Sequence, residues 1–269
     1  MDNTLVLNLL KAVLMGIVEG LTEFLPVSST GHLIIAGKLL QLPETTAATF
    51  EIFIQFGAVL AVIVFFYKDL LRLLQRAISD PSARKLLINI AIAFFPAAIV
   101  GLIFRTTIKT YLFGPITVAL AMIVGGLIML LVEMRTRVAT TQAIEDINVK
   151  QALGIGITQI ASLWSGMSRS ASTLVGGLLM GLNRAAALRF SFYLAIPVLG
   201  IASLYDLYKE RASLTGGDIP TFIVGLVVSF IVSLLVIRFF LNYVSRRSLI
   251  PFAWYRIVAG VVVLLFFRN

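Results

Sequence analysis

Long apolar runs constrain this chain more than any other feature of its sequence. Six of them, at residues 52–67, 86–104, 116–132, 190–204, 219–237 and 252–267, are candidate membrane spans. They approach or reach the roughly 20 residues that an apolar helix needs to cross a bilayer. Hydrophobic residues make up 59% of the 269 positions and charged residues 13%, against about 45–50% and 25% in soluble domains. The sequence therefore predicts an all-α integral membrane protein.

The distribution of positive charge predicts the orientation of the spans. The net charge is +9, which in a soluble protein would suggest nucleic-acid binding. Here the cations concentrate in loops that share one side if the six spans alternate: Lys68, Arg72, Arg76, Arg84, Lys85, Arg135, Arg137, Lys150, Arg238, Arg246 and Arg247. The positive-inside rule makes that side cytoplasmic, so we expect membrane lipids as neighbours and no nucleic acid. The absence of cysteine excludes disulfides and thiolate metal sites.

The chain repeats part of its own sequence. Residues 16–30 align without a gap on residues 156–170, at an offset of 156 − 16 = 140. In this alignment Glu19 faces Gln159, and a run of three hydroxyl residues faces a Ser-Arg-Ser run. The alignment indicates a duplicated half.

The duplication predicts how the two halves are inserted. Each half contains one broken apolar segment followed by three spans, and this odd number forces the second half into the opposite orientation. We therefore predict a single membrane domain over 1–269, built from inverted-topology repeats at about 1–137 and 150–269. A cytoplasmic linker at about 138–149 would join them.

Each broken segment predicts a helix-loop-helix hairpin that dips into the membrane and returns. The hairpins are placed at 5–40 and 152–187, with breaks at 26–31 and 165–171. Pro26 argues for the first break because proline removes a helix donor and clashes with the preceding turn. Interrupted segments meet near the midplane in such folds, where irregular backbone is tolerated only if it lines a cavity. A continuous span is the alternative.

Two carboxylates lie inside the first broken segment. Glu19 and Glu23 are four residues apart, so they would stack on one face of a helix. A carboxylate at bilayer depth is unfavourable by about 2.5–3.5 kcal/mol, and ionisable groups there are functional by default. A cation, Mg²⁺ or Ca²⁺, or a shared proton would relieve the repulsion. A structural pair neutralised by Lys11 or Arg169 is the alternative.

Hydroxyl residues and the single histidine follow those carboxylates. Ser28, Ser29 and Thr30 stand where the second helix of the hairpin should start, a position at which serine and threonine cap helices. Three hydroxyls in succession, with free backbone N–H groups, also favour anion binding at a helix N-terminus. His32 lies one turn further on and would be available for acid or base work near neutral pH, although a lone histidine is usually a packing residue.

The second broken segment carries the basic counterpart. Ser168, Arg169, Ser170 and Thr173 make it a candidate phosphate-binding element, because a guanidinium suits bidentate phosphate recognition better than an ammonium does. An ion pair between Arg169 and one of the glutamates is the alternative. The two roles are compatible if the pair forms in the empty site and phosphate shares the arginine later.

Weaker candidates lie outside the breaks. Glu51 and Gln55 form another polar pair four residues apart, facing Ser191 and Ala195 in the repeat, although Glu51 could equally be an interfacial charge. Together with Gln159 they complete the candidate substrate-binding residues. Charged residues near span ends should snorkel to the headgroups: Glu133, Arg184, Arg189, Asp206 and Lys209. Arg256 has no partner that the sequence identifies.

At these motifs the chain resembles a known family. Residues 16–32 read GIVEGLTEFLPVSSTGH and residues 165–173 read SGMSRSAST. The first stretch is similar, almost letter for letter, to the glutamate-rich motif of the undecaprenyl-diphosphate phosphatases, also called bacitracin-resistance proteins. The second resembles their PGxSRS motif, with Ser165 in place of the usual proline. The resemblance covers the whole chain, including FEIFIQFGAVLAV at 50–62.

The resemblance implies an activity and a role for each motif residue. It implies hydrolysis of undecaprenyl diphosphate, a C55 polyprenyl diphosphate lipid, to the monophosphate and inorganic phosphate, which recycles the carrier for cell-wall synthesis and confers bacitracin resistance. Glu19 and Glu23 would bind a divalent cation or act as base, Ser29 and His32 would perform the phosphoryl chemistry, and Arg169 would clamp the phosphate. Which of Ser29 and His32 attacks stays open. The implied location is the bacterial cytoplasmic membrane.

Other functions remain compatible with the sequence. Inverted repeats with broken helices are typical of transporters, so a polyprenyl-phosphate flippase is the alternative, for which the serine and histidine would be dispensable. A structural membrane subunit would not explain the glutamate pair. The parity of the spans places the first hairpin's entry on the outer side and predicts an outward-facing active site. A homodimer is compatible with the sequence.

Overall fold

The fold is entirely helical within the part of the chain that the structure describes. The computed structural model describes residues 3–42, 44–135, 139–210 and 219–267, so Arg137 and residue 138 of the linker lie outside it. The helices are α1 Asn3–Thr22, α2 Ser29–Leu39, α3 Glu44–Phe65, α4 Tyr67–Arg76, α5 Pro81–Ile103, α6 Arg105–Leu112, α7 Pro115–Met134, α8 Val149–Gln159, α9 Arg169–Leu179, α10 Arg184–Glu210, α11 Ile219–Val244 and α12 Ile250–Phe266. No strand occurs in these ranges, and the all-α prediction is confirmed.

Five of the helices are long and apolar enough to cross a membrane: α1, α5, α7, α10 and α11. The count is six if α3 and α4, bent by 65° at their junction, form one span. Four predicted spans, in α5, α7, α10 and α11, are confirmed. The predicted span at 52–67 instead breaks after Phe65, where the cationic α4 begins, and α12 is shorter, with 17 residues. The chain is a multi-pass membrane protein.

Both broken segments form helical hairpins. In the first, α1 ends at Thr22 and packs against α2; in the second, α8 and a 3₁₀ turn at Ile160–Leu163 precede α9, which packs against α8. The alternative of a continuous helix is therefore wrong. The first arms differ in length: α1 has 20 residues and α8 has 11. How deeply each hairpin enters the membrane stays a prediction.

The two hairpins share backbone geometry at the 140-residue offset. Ser28 and Ser168, the residues before α2 and α9, both have positive φ angles, 74° and 67°. Such angles are uncommon outside glycine. Each serine caps its helix, accepting a hydrogen bond from the backbone N–H of Gly31 at 3.4 Å or of Ala171 at 3.2 Å. The capping role predicted for Ser28 is confirmed.

Each hairpin is held by a helix of the other half. Helix α1 packs on α11 and α8 packs on α5. At both contacts a glycine permits close approach: a Cβ on Gly16 would lie 2.7 Å from the carbonyl oxygen of Gly225, and one on Gly156 would lie 2.7 Å from that of Ala93. The two halves therefore interlock, which brings the hairpin breaks into the interior. Inverted insertion and the repeat boundaries stay predictions.

Ion pairs involve several of the charges at span ends, and one of them, at Glu133, corrects the prediction. Glu133 does not reach the headgroups: its side chain is only 2% exposed, accepts from Arg184 at 2.6 Å and also accepts from the backbone N–H of Leu249. Arg189 pairs with Asp69 and Arg105 pairs with Asp206, each at 2.6 Å. A buried charge requires a partner, and one sequence alone did not show which cation would supply it.

Candidate active site

The breaks of the two hairpins meet at Glu23. One carboxylate oxygen accepts a hydrogen bond from Ser29 Oγ at 2.7 Å, and the other lies 3.3 Å from Nη2 of Arg169. Both charged side chains are buried, at 6% and 8% exposure. The structure therefore joins an acid and a hydroxyl of the first hairpin to the arginine of the second.

Helix α10 supplies a residue that the sequence reasoning missed. Nη1 of Arg169 lies 3.2 Å from the carbonyl oxygen of Ser191 and 3.4 Å from its Oγ. That hydroxyl contacts Thr173 Oγ1 at 2.6 Å, and Thr173 also donates to the carbonyl of Arg169 at 3.0 Å. Ser191 orients the guanidinium from the side opposite Glu23. The available signal was its position opposite Glu51 in the repeat.

Glu19 is buried beside this cluster without a hydrogen bond. It is 1% exposed, and neither carboxylate oxygen has a partner among the described residues. Glu23, Glu51 and Arg169 all lie close enough to act on it electrostatically. Its repeat partner Gln159 is fully buried, and its side-chain amide likewise lacks a partner. Buried polar groups normally have partners, so both side chains are available to a ligand.

The carboxylates fit a divalent cation only in part. Within the described ranges, no group of three or more Asp, Glu or His residues could hold a metal ion. Mg²⁺ usually takes one or two carboxylates and completes its shell with water and substrate phosphates. Glu19, with two free oxygens, and Glu23 match that donor set. The cation at these two residues stays a prediction, and it would require oxygen ligands from substrate or water.

Hydroxyls of the second hairpin tie it to the first. Ser170 Oγ donates to the carbonyl of Leu25 at 2.9 Å and contacts Ser168 Oγ at 3.0 Å. Since Ser168 is also the cap of α9, both hydroxyls serve the fold. Thr30 is half-buried and makes no side-chain hydrogen bond in the described part of the chain. Of the predicted hydroxyls, only Ser29 contacts a carboxylate.

His32 faces away from this carboxylate contact. Its Nδ1 lies 2.7 Å from the carbonyl oxygen of Ser28, and its Nε2 lies 2.6 Å from the hydroxyl of Tyr255 on α12. No hydrogen bond joins His32 to Ser29 in the described residues. Among the bases considered for Ser29, the structure puts Glu23 in contact with its hydroxyl.

The pair on α3 divides between two environments. Glu51 is half-buried and lies within electrostatic reach of Glu19. Gln55 instead accepts a hydrogen bond from Ser203 on α10 at 3.2 Å. Glu51 therefore belongs to the acidic side of the site. No hydrogen bond in the described residues connects Gln55 with the site.

Arg256 finds its partner in the second hairpin break. The side chain is fully buried, and Nη2 donates to the carbonyl oxygens of Met167 at 2.8 Å and Gly166 at 3.1 Å. Irregular backbone inside a membrane protein leaves carbonyls that need donors. Arg256 supplies one and so supports the loop that leads directly into Arg169.

A lateral groove opens beside the second hairpin, between α5 and α10. Its volume is about 520 Å³, and its lining is mostly apolar. Phe94, Gly101, Ser162, Leu163, Val198 and Ala202 contribute to its walls. Ser162 and Leu163 belong to the 3₁₀ turn just before the hairpin break. The paired Arg105 and Asp206 lie at its border.

Comparisons with known proteins agree over almost the whole chain. The family model described as bacitracin resistance protein BacA matches residues 12–262. A protein of Dechloromonas aromatica named undecaprenyl-diphosphatase is 48% identical over 256 residues, covering 95% of this chain and 93% of its own length. One of Nitrosomonas europaea with the same name is 49% identical, covering 96% and 94%.

Proposed function

The chain belongs to the bacitracin resistance protein family, and on that premise we propose that it hydrolyses undecaprenyl diphosphate to undecaprenyl phosphate and inorganic phosphate. It is then an integral membrane phosphatase that recycles the lipid carrier for cell-wall synthesis and confers resistance to bacitracin. Full-length relatives carry the name of this activity. The observation that carries the proposal is the contact of Glu23 with both Ser29 and Arg169.

Ser29 is the proposed nucleophile and Glu23 its base. The hydroxyl already donates to the carboxylate, so its proton passes to Glu23 as Oγ attacks the terminal phosphorus. The bond from that phosphorus to the bridging oxygen breaks, and the lipid monophosphate leaves. Water then attacks the phosphoserine, inorganic phosphate departs, and the proton from Glu23 returns to Ser29.

Arg169 and Glu19 handle the charge of the substrate. Phosphoryl transfer depends mainly on positioning and charge neutralisation. Arg169, held by Ser191 on one side and Glu23 on the other, turns its guanidinium toward phosphate oxygens when substrate enters. A divalent cation bound by Glu19 and Glu23 would supply further positive charge. The amide of Gln159, which has no partner among the described residues, and the hydroxyl of Thr30 are further contacts for the diphosphate.

The isoprenoid chain lies in the lateral groove between α5 and α10. The groove is apolar and bordered by outward-facing Leu102 and Ile201, so a chain can enter from the lipid. Val198 and Ala202 lie on the same face of α10 as Ser191, since they follow it by seven and eleven residues. An isoprenoid chain that lies along this face of α10 would extend from the membrane to Arg169.

The proposed setting is the bacterial cytoplasmic membrane, with the active site open to the outer side. The cations of α4 and of the loop after α11 support this orientation. Labelling of single cysteines introduced at residues 30 and 168 from either side of the membrane checks it. The homodimer compatible with the sequence stays a prediction.

Phosphate release by the purified protein tests the proposal. We expect detergent-solubilised wild type to release phosphate from undecaprenyl diphosphate, and a chelator to reduce the rate. A flippase, the function that the helical hairpins would also suit, needs two compartments to be observed and releases no phosphate. Absence of phosphate release from a folded preparation, with transport in vesicles retained, would favour the flippase.

A further inference from the structure

Two consecutive residues of α12 contact both hairpins of the site. The hydroxyl of Tyr255 forms a hydrogen bond with His32 of the first hairpin, and Arg256 donates hydrogen bonds to the carbonyls of Gly166 and Met167 in the second. Helix α12 is itself fixed against α7, where Gly126 and Gly260 allow the two backbones to approach closely. One rigid element therefore holds a residue of each hairpin in place.

The contacts of His32 determine which ring nitrogen carries the proton. Nδ1 lies 2.7 Å from the carbonyl oxygen of Ser28, which can only accept, so Nδ1 is the protonated nitrogen. In the neutral ring Nε2 is then the acceptor, and the hydroxyl of Tyr255 donates to it at 2.6 Å. The two rings are nearly parallel, at 4°, with centroids 5.6 Å apart. The carbonyl of Ser28 thus fixes the tautomer, and Tyr255 supplies the matching donor to Nε2 and holds the plane of the imidazole.

We infer that Tyr255 is a positioning residue of the phosphatase, acting through His32. The role rests on the proposed function, because it concerns the histidine of that site. Tyr255 is 49% exposed while its hydroxyl meets a half-buried ring, so it lies between His32 and the surroundings of the protein. It holds the ring of His32 in one orientation and keeps Nε2 as the acceptor, the nitrogen that would take up a proton in the acid or base work expected of this histidine.

The tautomer can be read directly, because His32 is the only histidine in the chain. Protein labelled with ¹⁵N in histidine gives one imidazole signal set in detergent. We expect wild type to show a single neutral tautomer protonated at Nδ1, and Tyr255→Phe to keep that tautomer but show a displaced Nε2 resonance, because Nε2 loses its hydrogen-bond donor. Tyr111→Phe removes a hydroxyl from an exposed tyrosine on α6 and should match wild type. Identical spectra for wild type and Tyr255→Phe would overturn the inference.

Kinetics provide a second readout. Tyr255→Phe keeps the stacked ring and removes one hydrogen bond, so we expect kcat to fall about tenfold, with KM within about twofold of wild type. In a His32→Ala background the same change should have no further effect, since coupled residues are not additive. An equal loss in both backgrounds would make Tyr255 independent of His32 and reject the role.

The two readouts separate this inference from the proposed function. The NMR experiment needs no substrate, so it stands even if wild type fails to release phosphate. If wild type releases phosphate but the spectrum is unchanged in Tyr255→Phe, the positioning role alone fails.

Discussion

The two hairpins share the backbone geometry of their breaks and carry opposite charges there. Ser28 and Ser168 occupy equivalent positions with matching φ angles and cap helices of equal length. The residue after each cap differs: Ser29 in the first hairpin and Arg169 in the second. One backbone geometry therefore occurs twice with different side chains, and this difference makes the two hairpins complementary in charge. A site of two identical hairpins would bring together either two acids or two cations.

The helices around the hairpins differ in a second respect. Helices α3 and α11 pack closely, because Gly57 lets α3 approach the backbone of Leu226, and Ser229 Oγ donates to the carbonyl of Ile54 at 2.7 Å. Their counterparts, α10 and α5, separate to leave the groove of about 520 Å³. The helices around the first hairpin therefore enclose the acids, while those around the second hairpin leave an opening to lipid.

Replacing Ser29 should produce the largest effect. Ser29→Ala removes the proposed nucleophile, and we expect phosphate release to fall by at least about a thousandfold. Ser168→Ala in the other hairpin removes a cap and a contact with Ser170 but no contact with Glu23 or Arg169; a lost cap costs about 1 kcal/mol of stability, so turnover should remain near wild type. Phosphate release at saturating substrate measures both. Comparable activity in wild type and Ser29→Ala would show that Ser29 is not the nucleophile and would favour His32 in that role.

Replacing Arg169 tests the basic side of the comparison. Arg169→Ala should reduce kcat/KM by about a thousandfold, the scale on which arginines stabilise transferring phosphoryl groups. Arg169→Lys should recover only part of the loss, because an ammonium cannot bind two oxygens in a plane. The control is Arg238→Ala, an exposed cation on α11, with turnover close to wild type. Near-normal turnover by Arg169→Ala would remove the phosphate clamp.

Sequence reasoning found the local features and missed those that depend on distant contacts. The hairpin breaks followed from Pro26 and from runs of hydroxyl residues, which act within one turn of the chain. The link from Arg169 to Glu23 spans 146 positions, and the sequence offered it only as one alternative. The roles of Ser191 and Tyr255 were missed because they come from helices that pack against the hairpins; for Ser191 the sequence gave only its position opposite Glu51. Arg256 had no visible partner because backbone carbonyls leave no signature in a sequence.

Replacing Glu19 makes the two hairpins alike at one position. Glu19→Gln reproduces the residue at position 159 and removes a carboxylate that has no partner among the described residues. If Glu19 binds the cation, activity should fall about a hundredfold and the remaining activity should no longer respond to a chelator. Gln159→Ala is the matched control, which should weaken substrate binding and keep the chelator response. Retention of the full chelator response by Glu19→Gln would place the cation elsewhere.

Filling the groove should have the smallest effect and the most selective one. Ala98 lines the groove, and its neighbour Ile99 is 51% exposed and lies outside the groove lining. Ala98→Trp should raise KM for undecaprenyl diphosphate about tenfold, because the isoprenoid chain can then bury less of its apolar surface in the groove. Ile99→Trp should leave KM unchanged.

For a short, water-soluble prenyl diphosphate both variants should match wild type, since its phosphates reach Arg169 without using the groove. An equal rise in KM for short and long substrates with Ala98→Trp would mean that the tryptophan distorts the hairpin next to Leu163. An unchanged KM for undecaprenyl diphosphate would mean that its chain lies along another face of the protein.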